Sequence, residues 1–308
     1  SDGQGGAYVG WVTGGTNEAF LSRVVPPERI ANGWPFNGRR PHDVSPSDER
    51  YHRLVSDGAG GVFSLFSYNT SQGFQQRLSR LDATGSLHAN WPDGGIVIPG
   101  CNALMAFGQA TEGPNGAIIH GNVDCGGAVT LYSYSGAGVL MWTAPGAVEH
   151  TAFWPTYWLV SDGDGGVYTL WGNTQDLPNV RVRLNYSTAA GLTPPSWPPG
   201  GVALTDSSES LSPIGAVSDG LGGVHSLWLV SSSNTIYHAR ASRLQNGFPQ
   251  ASEPPAPLGT SVPTSGGVTL MGLDGLHGFF LATHEYSQLT GRYSISLFTY
   301  GLEGTPDP

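Results

Sequence analysis

Short apolar runs of about five residues alternate with Gly-rich turns along the whole chain. The runs Val62–Phe66, Val167–Trp171 and Val224–Trp228 each follow such a turn, and a further run precedes it. Short runs on both sides of a Gly-rich turn are typical of β-hairpins. No run reaches the roughly 18 apolar residues of a membrane-spanning helix. The pattern therefore predicts an all-β protein with little helix.

One six-residue turn, Ser56–Gly61, recurs along the sequence. The turns that resemble it begin at residues 1, 56, 111, 161, 218 and 273, so the spacings are 55, 55, 50, 57 and 55 residues. Its Asp can accept hydrogen bonds from backbone N–H groups of the turn, and its glycines can adopt positive φ. A period this regular predicts a repeat architecture.

Each repeat continues with a third apolar run, such as Arg77–Leu81, and then with a Trp-Pro segment such as Trp91–Val97. Four short strands per repeat, arranged radially, form one propeller blade. We therefore expect residues 1–308 to form a single β-propeller domain, most simply six-bladed, with four-stranded antiparallel blades. The chain begins at the second strand of a blade (Gly6–Val12) and ends after a third strand (Tyr293–Tyr300). The first blade should therefore lack an inner strand and the last blade an outer one.

The motif Leu54–Val62, followed by Arg80–Gly85 and then Trp91–Gly95, resembles a degenerate repeat that is common in exported bacterial proteins. Its strand-turn order is similar to that of quinoprotein-type propeller repeats, whose strands run from the inside of the blade outwards. The resemblance covers nearly the whole chain. It implies a β-propeller fold and an exported bacterial protein, and it implies no particular activity.

The charge of the chain narrows its possible partners. The formal net charge is −10, and charged residues make up only 12% of the sequence. An acidic chain with scattered Arg lacks the basic patch that binds nucleic acid or anionic lipid. We expect no nucleic-acid partner and no membrane insertion. We also expect that a leader was removed before Ser1, which agrees with an extracellular, cell-surface or periplasmic location.

The two cysteines, Cys101 and Cys125, flank the hairpin of the third repeat. If that hairpin folds about Gly113-Pro114, the numbers of paired residues sum to about 226 to 228. This register would bring the two cysteines nearly opposite each other, within reach of a disulfide. We expect that bond, and with it an oxidising compartment. The alternative is two unrelated buried thiols.

The repeated aspartates are interpreted as structural turn residues, because a catalytic carboxylate is unique whereas a turn is copied. They are Asp2, Asp57, Asp162, Asp219 and Asp274. Each turn offers mostly one carboxylate, which is too few for a calcium site. The histidines lack metal-ligand spacing, and no phosphate-binding loop or nucleophile elbow occurs. We expect no metal and no cofactor.

Seven of the nine tryptophans recur at equivalent repeat positions and are expected to pack between blades. Phe153 and Trp154 precede an inner strand, in a loop on the face where propellers usually bind ligands. An aromatic side chain there can stack on a pyranose or on a partner protein. The long loop of residues 26–49 adds Arg39, Arg40 and His42. These five residues are the predicted ligand-binding set, and the interpretation of ordinary core or loop residues remains open beside it.

Acidic and histidine side chains on the same predicted face are the candidates for catalysis. They are Glu149, His150, Asp206, Glu209, His284 and Glu285. A carboxyl pair with a raised pKa suits glycoside hydrolysis, and a histidine suits general-base catalysis. The competing interpretation is the ordinary polarity of solvated loops.

Three functional hypotheses follow. The favoured one is a secreted or cell-surface propeller that binds or scaffolds without catalysis, with a polysaccharide or an extracellular protein as its partner. The first alternative is a carbohydrate-active enzyme, a glycoside hydrolase or lyase, with acidic and His residues at the axial mouth. The second is a subunit of an extracellular surface assembly or filament formed by self-assembly.

Overall fold

The computed structural model of the chain describes most of the sequence. The described residues are 1–15, 17–27, 29–42, 47–71, 73–99, 109–123, 128–142, 148–150, 157–173, 181–198, 200–204, 211–230, 235–242, 256–261, 266–273, 278–287 and 292–301. They form β-strands joined by turns, with one short 3-10 turn at Pro114–Gly116. Two compact units divide the chain, Ser1–Val148 and Glu149–Pro308.

The first unit contains all strands of sheets 1 and 2 and most of sheet 3. Sheet 1 consists of β1 (Ala7–Val12), β2 (Ala19–Val25) and β3 (Arg29–Ile30). Sheet 2 consists of β4 (Ser47–Ser56), β5 (Val62–Thr70), β6 (Gly73–Leu81) and β7 (Ile96–Val97). Sheet 3 consists of β8 (Gln109–Glu112), β9 (Ile118–Val123), β10 (Ala128–Tyr134) and β11 (Val148–His150).

The second unit contains the other three sheets. Sheet 4 consists of β12 (Tyr157–Ser161), β13 (Val167–Asn173), β14 (Arg181–Ser187) and β15 (Val202–Ala203). Sheet 5 consists of β16 (Leu211–Ser218), β17 (Gly223–Val230), β18 (Thr235–Ser242) and β19 (Ala256–Ser261). Sheet 6 consists of β20 (Gly266–Leu273), β21 (Phe279–Ser287) and β22 (Arg292–Tyr300).

In every sheet each strand lies beside its neighbour in sequence, and the strand pairs whose register is described are antiparallel, as in a propeller blade. The all-β class and the four-stranded antiparallel blades are therefore confirmed. Sheets 1 and 6 have three strands each in the described part of the chain. In sheet 1 the repeated turn precedes the first strand, and in sheet 6 it follows the first strand. Sheet 1 thus begins at the second strand of a blade, and sheet 6 has the first to third strands. The residue of sheet 1 that corresponds to Ile96 of β7 is Arg39, which bridges Leu21, so β3 corresponds to the Leu81–Leu87 bridge of sheet 2 and not to β7.

Apolar side chains of adjacent sheets pack together within each unit. In the first unit, Leu21 and Trp34 of sheet 1 pack with Val62 and Leu81 of sheet 2. In the second unit, a larger cluster joins sheets 4 and 5 through residues such as Tyr168. These side chains are almost fully buried, so each sheet depends on its neighbour for its core.

The repeated turn is closed by its aspartate. Oδ1 of Asp57 accepts hydrogen bonds from the N–H groups of Ala59 (2.8 Å) and Gly61 (2.7 Å). Its Oδ2 pairs with Nη2 of Arg80 at 2.7 Å. Arg80 also donates to the carbonyl oxygen of Gly136 in sheet 3, at 2.6 Å. The turn therefore links the second sheet to the third.

The aspartate of the repeated turn also forms an ion pair with an arginine in the first and fifth sheets. Asp2 pairs with Arg23, and Asp219 pairs with Arg240, each at 2.7 Å. Burial would raise the pKa of Asp219, but N–H donors from its own turn and the Arg240 guanidinium lower it below its usual range. In sheet 4 the hydroxyl of Tyr186 takes the place of the arginine and donates to Asp162 at 2.7 Å.

The hairpin of the third repeat has a register different from the predicted one. Ala110 pairs with His120, so the numbers of paired residues sum to 230, because Pro114–Gly116 forms a 3-10 turn that lengthens the connection. The predicted sum of 226 to 228 is wrong, and the register argument for the disulfide loses its basis. Cys101 and Cys125 lie outside the described residues, so the bond itself stays a prediction.

Two other expectations concern the chain as a whole. The assignment of residues 1–308 to a single domain, with repeats starting near 1, 56, 111, 161, 218 and 273, stays a prediction. Asp274 of the sixth turn lies outside the described residues. Among the described residues no helix has the length and apolar character needed to cross a membrane.

Candidate functional site

A cavity of about 450 Å³ opens in the first unit between sheets 1 and 2. On the side of sheet 1 it is lined by Phe20, Pro35, Gly38, Arg39, Arg40 and His42. On the side of sheet 2 it is lined by Leu81, Gly85, Ser86 and Leu87. Its volume falls within the range of small-molecule sites, and its wall combines apolar surface with a few polar groups.

The cavity lies beside a turn that recurs in the chain. The turn Trp34–Gly38 corresponds to Trp91–Gly95 in sheet 2 and to Trp197–Gly201 in sheet 4. In all three turns the N–H of the last glycine donates to the proline carbonyl oxygen, at 3.0, 2.9 and 3.0 Å. The three segments can therefore be compared residue by residue.

At one position of this comparison sheet 1 differs from sheets 2 and 4. In sheet 2 Arg77 pairs with Val97, and it donates through Nη1 to the carbonyl oxygens of Gly94 (3.1 Å) and Gly95 (3.3 Å). In sheet 4 Arg183 makes the corresponding bonds to its own turn, at 3.2 and 3.3 Å. The guanidinium group thus braces the glycine turn from the neighbouring strand.

In sheet 1 the strand position of Arg77 holds an aromatic residue, and an arginine lies opposite it. The bridge between Leu21 and Arg39 corresponds to the pair Leu78–Ile96 of sheet 2. The residue before the leucine is Phe20 in sheet 1 and Arg77 in sheet 2, so these two occupy the same position. Arg40 stands opposite Phe20, and its guanidinium carbon lies 6.0 Å from the centre of the Phe20 ring. In sheet 2 the Arg77 guanidinium fills the space beside the glycine turn. In sheet 1 the Phe20 ring lies at this position and lines the cavity.

Arg40 belongs to a network of polar side chains at the cavity wall. It forms ion pairs with Glu18 and, at 3.8 Å, with Oε1 of Glu49. Nε2 of His42 lies 3.2 Å from the same oxygen. The other carboxylate oxygen of Glu49 accepts a hydrogen bond from the N–H of Ala19. Because Glu49 and His42 are each only 1% exposed, this network fixes the cavity wall rather than adapting to solvent.

Aromatic contacts hold the two ends of the cavity wall. The His42 ring stacks on Phe66 of sheet 2, with centroids 4.9 Å apart. Phe20 stacks on Trp11 at 6.0 Å. Gly38 has φ +79°, and a Cβ atom there would lie 2.4 Å from the Trp11 ring. Only glycine therefore allows this turn to lie against Trp11.

The structure brings three of the five predicted ligand-binding residues together. Arg39, Arg40 and His42 all line the cavity. Phe153 and Trp154 lie outside the described residues, as do the catalytic candidates Asp206 and Glu209. For Glu149 and His150 on β11, and for His284 and Glu285 on β21, the backbone alone is described.

The backbone register places His284 and Glu285 opposite the first two residues of β20. His284 pairs with Gly267, and Glu285 pairs with Gly266.

Sequence reasoning missed Phe20, Glu18 and Glu49. Phe20 had only a partial signal, because the corresponding position is an arginine in sheets 2 and 4 but Thr130 in sheet 3 and Tyr237 in sheet 5. Glu49 gave no such signal, because its partners Arg40 and His42 reach it only in the folded chain. Within the described part no group of three or more His, Cys, Asp or Glu is placed to hold a metal ion. The arrangement provides what a binding site needs: an aromatic face, fixed hydrogen-bond donors and a cavity.

No protein-family model matches the sequence, and no curated protein matches it significantly. Solved structures do resemble it. A polysaccharide lyase, an ulvan lyase, is 10% identical with a TM-score of 0.56, over 99% of this chain and 80% of its own. The BP39L lectin from Burkholderia pseudomallei is 10% identical with a TM-score of 0.51, over 99% of this chain and 91% of its own.

A third solved structure, the SapL1 lectin in complex with alpha methyl fucoside, is 12% identical. Its TM-score is 0.53, and the match covers 98% of this chain and 96% of that one. At such low identity the likeness carries the fold and not the activity. Together with the six blade-like sheets, it shows that this chain has the β-propeller fold.

Proposed function

We propose that this protein is a carbohydrate-binding propeller and that the cavity beside Phe20 is its sugar site. The observation that carries the proposal is the open cavity at which the aromatic ring of Phe20 faces Arg40. In sheets 2 and 4 an arginine at this position braces the glycine turn, whereas sheet 1 has Phe20 there and sheet 5 has Tyr237. Aromatic rings that stack on sugar rings, beside fixed polar groups, are a common way to bind carbohydrate.

The polar groups of the site suit sugar hydroxyls. Arg39 and Arg40 offer N–H donors, and Ser86 on the opposite wall offers a hydroxyl that both donates and accepts. Arg40 is held in place by Glu18 and Glu49, so little side-chain entropy is lost when it binds a ligand. Two of the solved neighbours are named as lectins and one as a polysaccharide lyase, which supports a carbohydrate ligand.

The test is retention of the protein on a panel of bacterial and plant polysaccharides, read together with the release of reducing ends. Retention without release is expected, and Phe20→Ala should abolish it. The matched control is Phe36→Ala, because Phe36 is 88% exposed in the turn Trp34–Gly38 and does not line the cavity. A folded protein that no polysaccharide retains would contradict the proposal.

A carbohydrate-active enzyme is the second candidate, favoured by the likeness to the ulvan lyase and to an alpha-L-arabinanase from Penicillium chrysogenum. That arabinanase has a TM-score of 0.50 at 13% identity, over 84% of this chain and 80% of its own. Release of reducing ends that is lost in Glu149→Ala, Asp206→Ala or Glu285→Ala would establish it. Release without dependence on these residues would place catalysis elsewhere in the chain.

We further propose an extracellular or cell-surface location. A carbohydrate ligand is met there, and the resemblance to exported bacterial repeats points the same way. The disulfide between Cys101 and Cys125 is the direct test, through peptide mapping of the secreted protein with and without reduction. Free thiols at both cysteines would contradict the oxidising compartment. Self-assembly, or a protein partner, stays a prediction that size-exclusion chromatography addresses.

A further inference from the structure

The two arginines of the cavity differ in how their charges are balanced. Arg40 pairs with Glu18 and Glu49. For Arg39, no carboxylate among the described residues lies within ion-pair distance, and its side chain is exposed at the cavity wall. One cationic group of the site is therefore matched within the described structure, and the other faces the open cavity.

The repeat shows that this charge is an addition. The residue at the position of Arg39 is Ile96 in sheet 2 and Val202 in sheet 4, and both pair with the leucine that corresponds to Leu21. Packing alone therefore does not call for an arginine at this strand position. The chain has a net charge of −10, so an arginine without an ion-pair partner among the described residues makes the electrostatic potential at the cavity more positive than over the rest of the surface.

We propose that Arg39 selects acidic saccharides, namely sugars that carry a carboxylate, over their neutral counterparts. This inference rests on the proposed sugar site. A guanidinium presents N–H donors in a planar fork that matches both oxygens of a carboxylate. With the sugar ring against Phe20, a uronate carboxylate can reach Arg39 at the wall. Arg40 stays engaged by its own carboxylates and fixes the wall beside it.

The experiment measures binding to uronate polymers and to the same polymers after carboxyl reduction, which removes the charge and keeps the backbone. Polygalacturonate, alginate and a glucuronan serve as the three pairs. The acidic form is expected to bind about 10-fold or more tightly than the reduced form, the range of a charge-assisted hydrogen bond. Arg39→Gln should remove that preference, so that the acidic and the reduced forms bind equally.

Arg29→Gln is the matched control, because Arg29 is an exposed arginine of the same sheet that does not line the cavity. It should keep the preference, and so separates a local contact from the overall charge of the protein. A sulfated neutral galactan is the second anionic probe. If the protein prefers the sulfated polymer and shows no preference for the uronates, the proposal that Arg39 recognises a carboxylate is wrong.

The remaining outcomes distinguish this inference from the proposed function. Equal binding of acidic and reduced forms that depends on Phe20 would refute the role of Arg39 and leave the sugar site in place. Failure of folded protein to bind either form of any pair would count against both.

Discussion

Nη2 of Arg240 lies 2.7 Å from Oδ2 of Asp219, and Oδ1 of Asp219 accepts hydrogen bonds from the N–H groups of Leu221 and Gly223. The Asp219 side chain is fully buried, while that of Arg240 is 21% exposed. One carboxylate therefore closes a turn with one oxygen and holds the neighbouring strand with the other. Removing it takes this acceptor from the part-buried N–H of Leu221 and the buried N–H of Gly223, and takes the carboxylate partner from Arg240.

Asp219→Ala is expected to lower the free energy of unfolding by about 2 to 3 kcal/mol, because a buried charge pair and two turn bonds are lost together. Asp219→Asn should cost about half of that, since its amide oxygen can still close the turn. Asp82→Ala is the control: Asp82 closes an exposed turn through the N–H groups of Thr84 and Ser86, without an arginine. It should cost about 1 kcal/mol. Urea unfolding measures all three, and equal losses would contradict the role of Arg240.

Stability should fall in mild acid because of His120. Its ring is completely buried, stacked 5.1 Å from Tyr132 and 5.7 Å from Tyr134, and burial lowers its pKa to about 3. In the unfolded chain a histidine titrates near 6.5, so between these values the unfolded state binds more protons. Stability is therefore full above about pH 6.5 and declines towards pH 3.

Each such histidine contributes a slope of up to about 1.4 kcal/mol per pH unit. His238 of the second unit adds its own slope, because burial and the nearby charges of His225 and Arg240 lower its pKa to about 3. Urea midpoints at pH 7 and 4.5 measure the effect. His120→Leu, which cannot be protonated, should flatten the dependence by about 2 kcal/mol over this interval. An unchanged slope in that variant would show that His120 is not the cause.

Gly38→Ala should damage the candidate site. Gly38 has φ +79°, and a Cβ atom would meet the Trp11 ring at 2.4 Å. The control is Gly200→Ala, in the corresponding turn of sheet 4, because its φ is +75° with no atom within 4 Å of an added Cβ. Both variants incur about 1 kcal/mol of backbone strain. Only Gly38→Ala adds a steric cost of about 1 to 3 kcal/mol, and only it should lose polysaccharide retention. Equal behaviour of the two would remove Trp11 from the account.

Phe20→Arg introduces the residue that sheets 2 and 4 carry at this position and should fill the cavity. The new guanidinium is expected to reach the carbonyl oxygens of Asn37 and Gly38, as Arg77 reaches those of Gly94 and Gly95. Retention on polysaccharide should be lost, while the unfolding free energy changes by less than about 1 kcal/mol. Arg77→Phe is the reciprocal control and should destabilise the protein without affecting retention. Retention that survives Phe20→Arg would place the sugar site elsewhere.

Much of the fold could be predicted from the sequence because it is copied. Glycines at fixed offsets from the Asp of each turn, and apolar runs of strand length on both sides, are local signals that recur at a 50- to 57-residue spacing. They located the strands on either side of Asp57, Asp162 and Asp219. They failed at the third repeat, where Pro114–Gly116 forms a 3-10 turn and changes the register of the hairpin.

The site was only partly within reach of sequence reasoning. Arg39, Arg40 and His42 stood out as charged residues in a long loop, and the structure places all three in one cavity. Glu49 did not stand out, because a lone glutamate near the start of β4 has no local feature that predicts a buried role.

By itself, then, the sequence determined the repeat, the hairpins and the blade-like strand order, since these depend on hydrogen bonds and turns between residues close along the chain. Only the tertiary structure decided which side chains meet across two sheets. The contact of Glu49 with Arg40 and His42, and the cavity beside Phe20, depend on how one sheet packs on the next. Packing of that kind joins residues from separate repeats, and no local pattern encodes it.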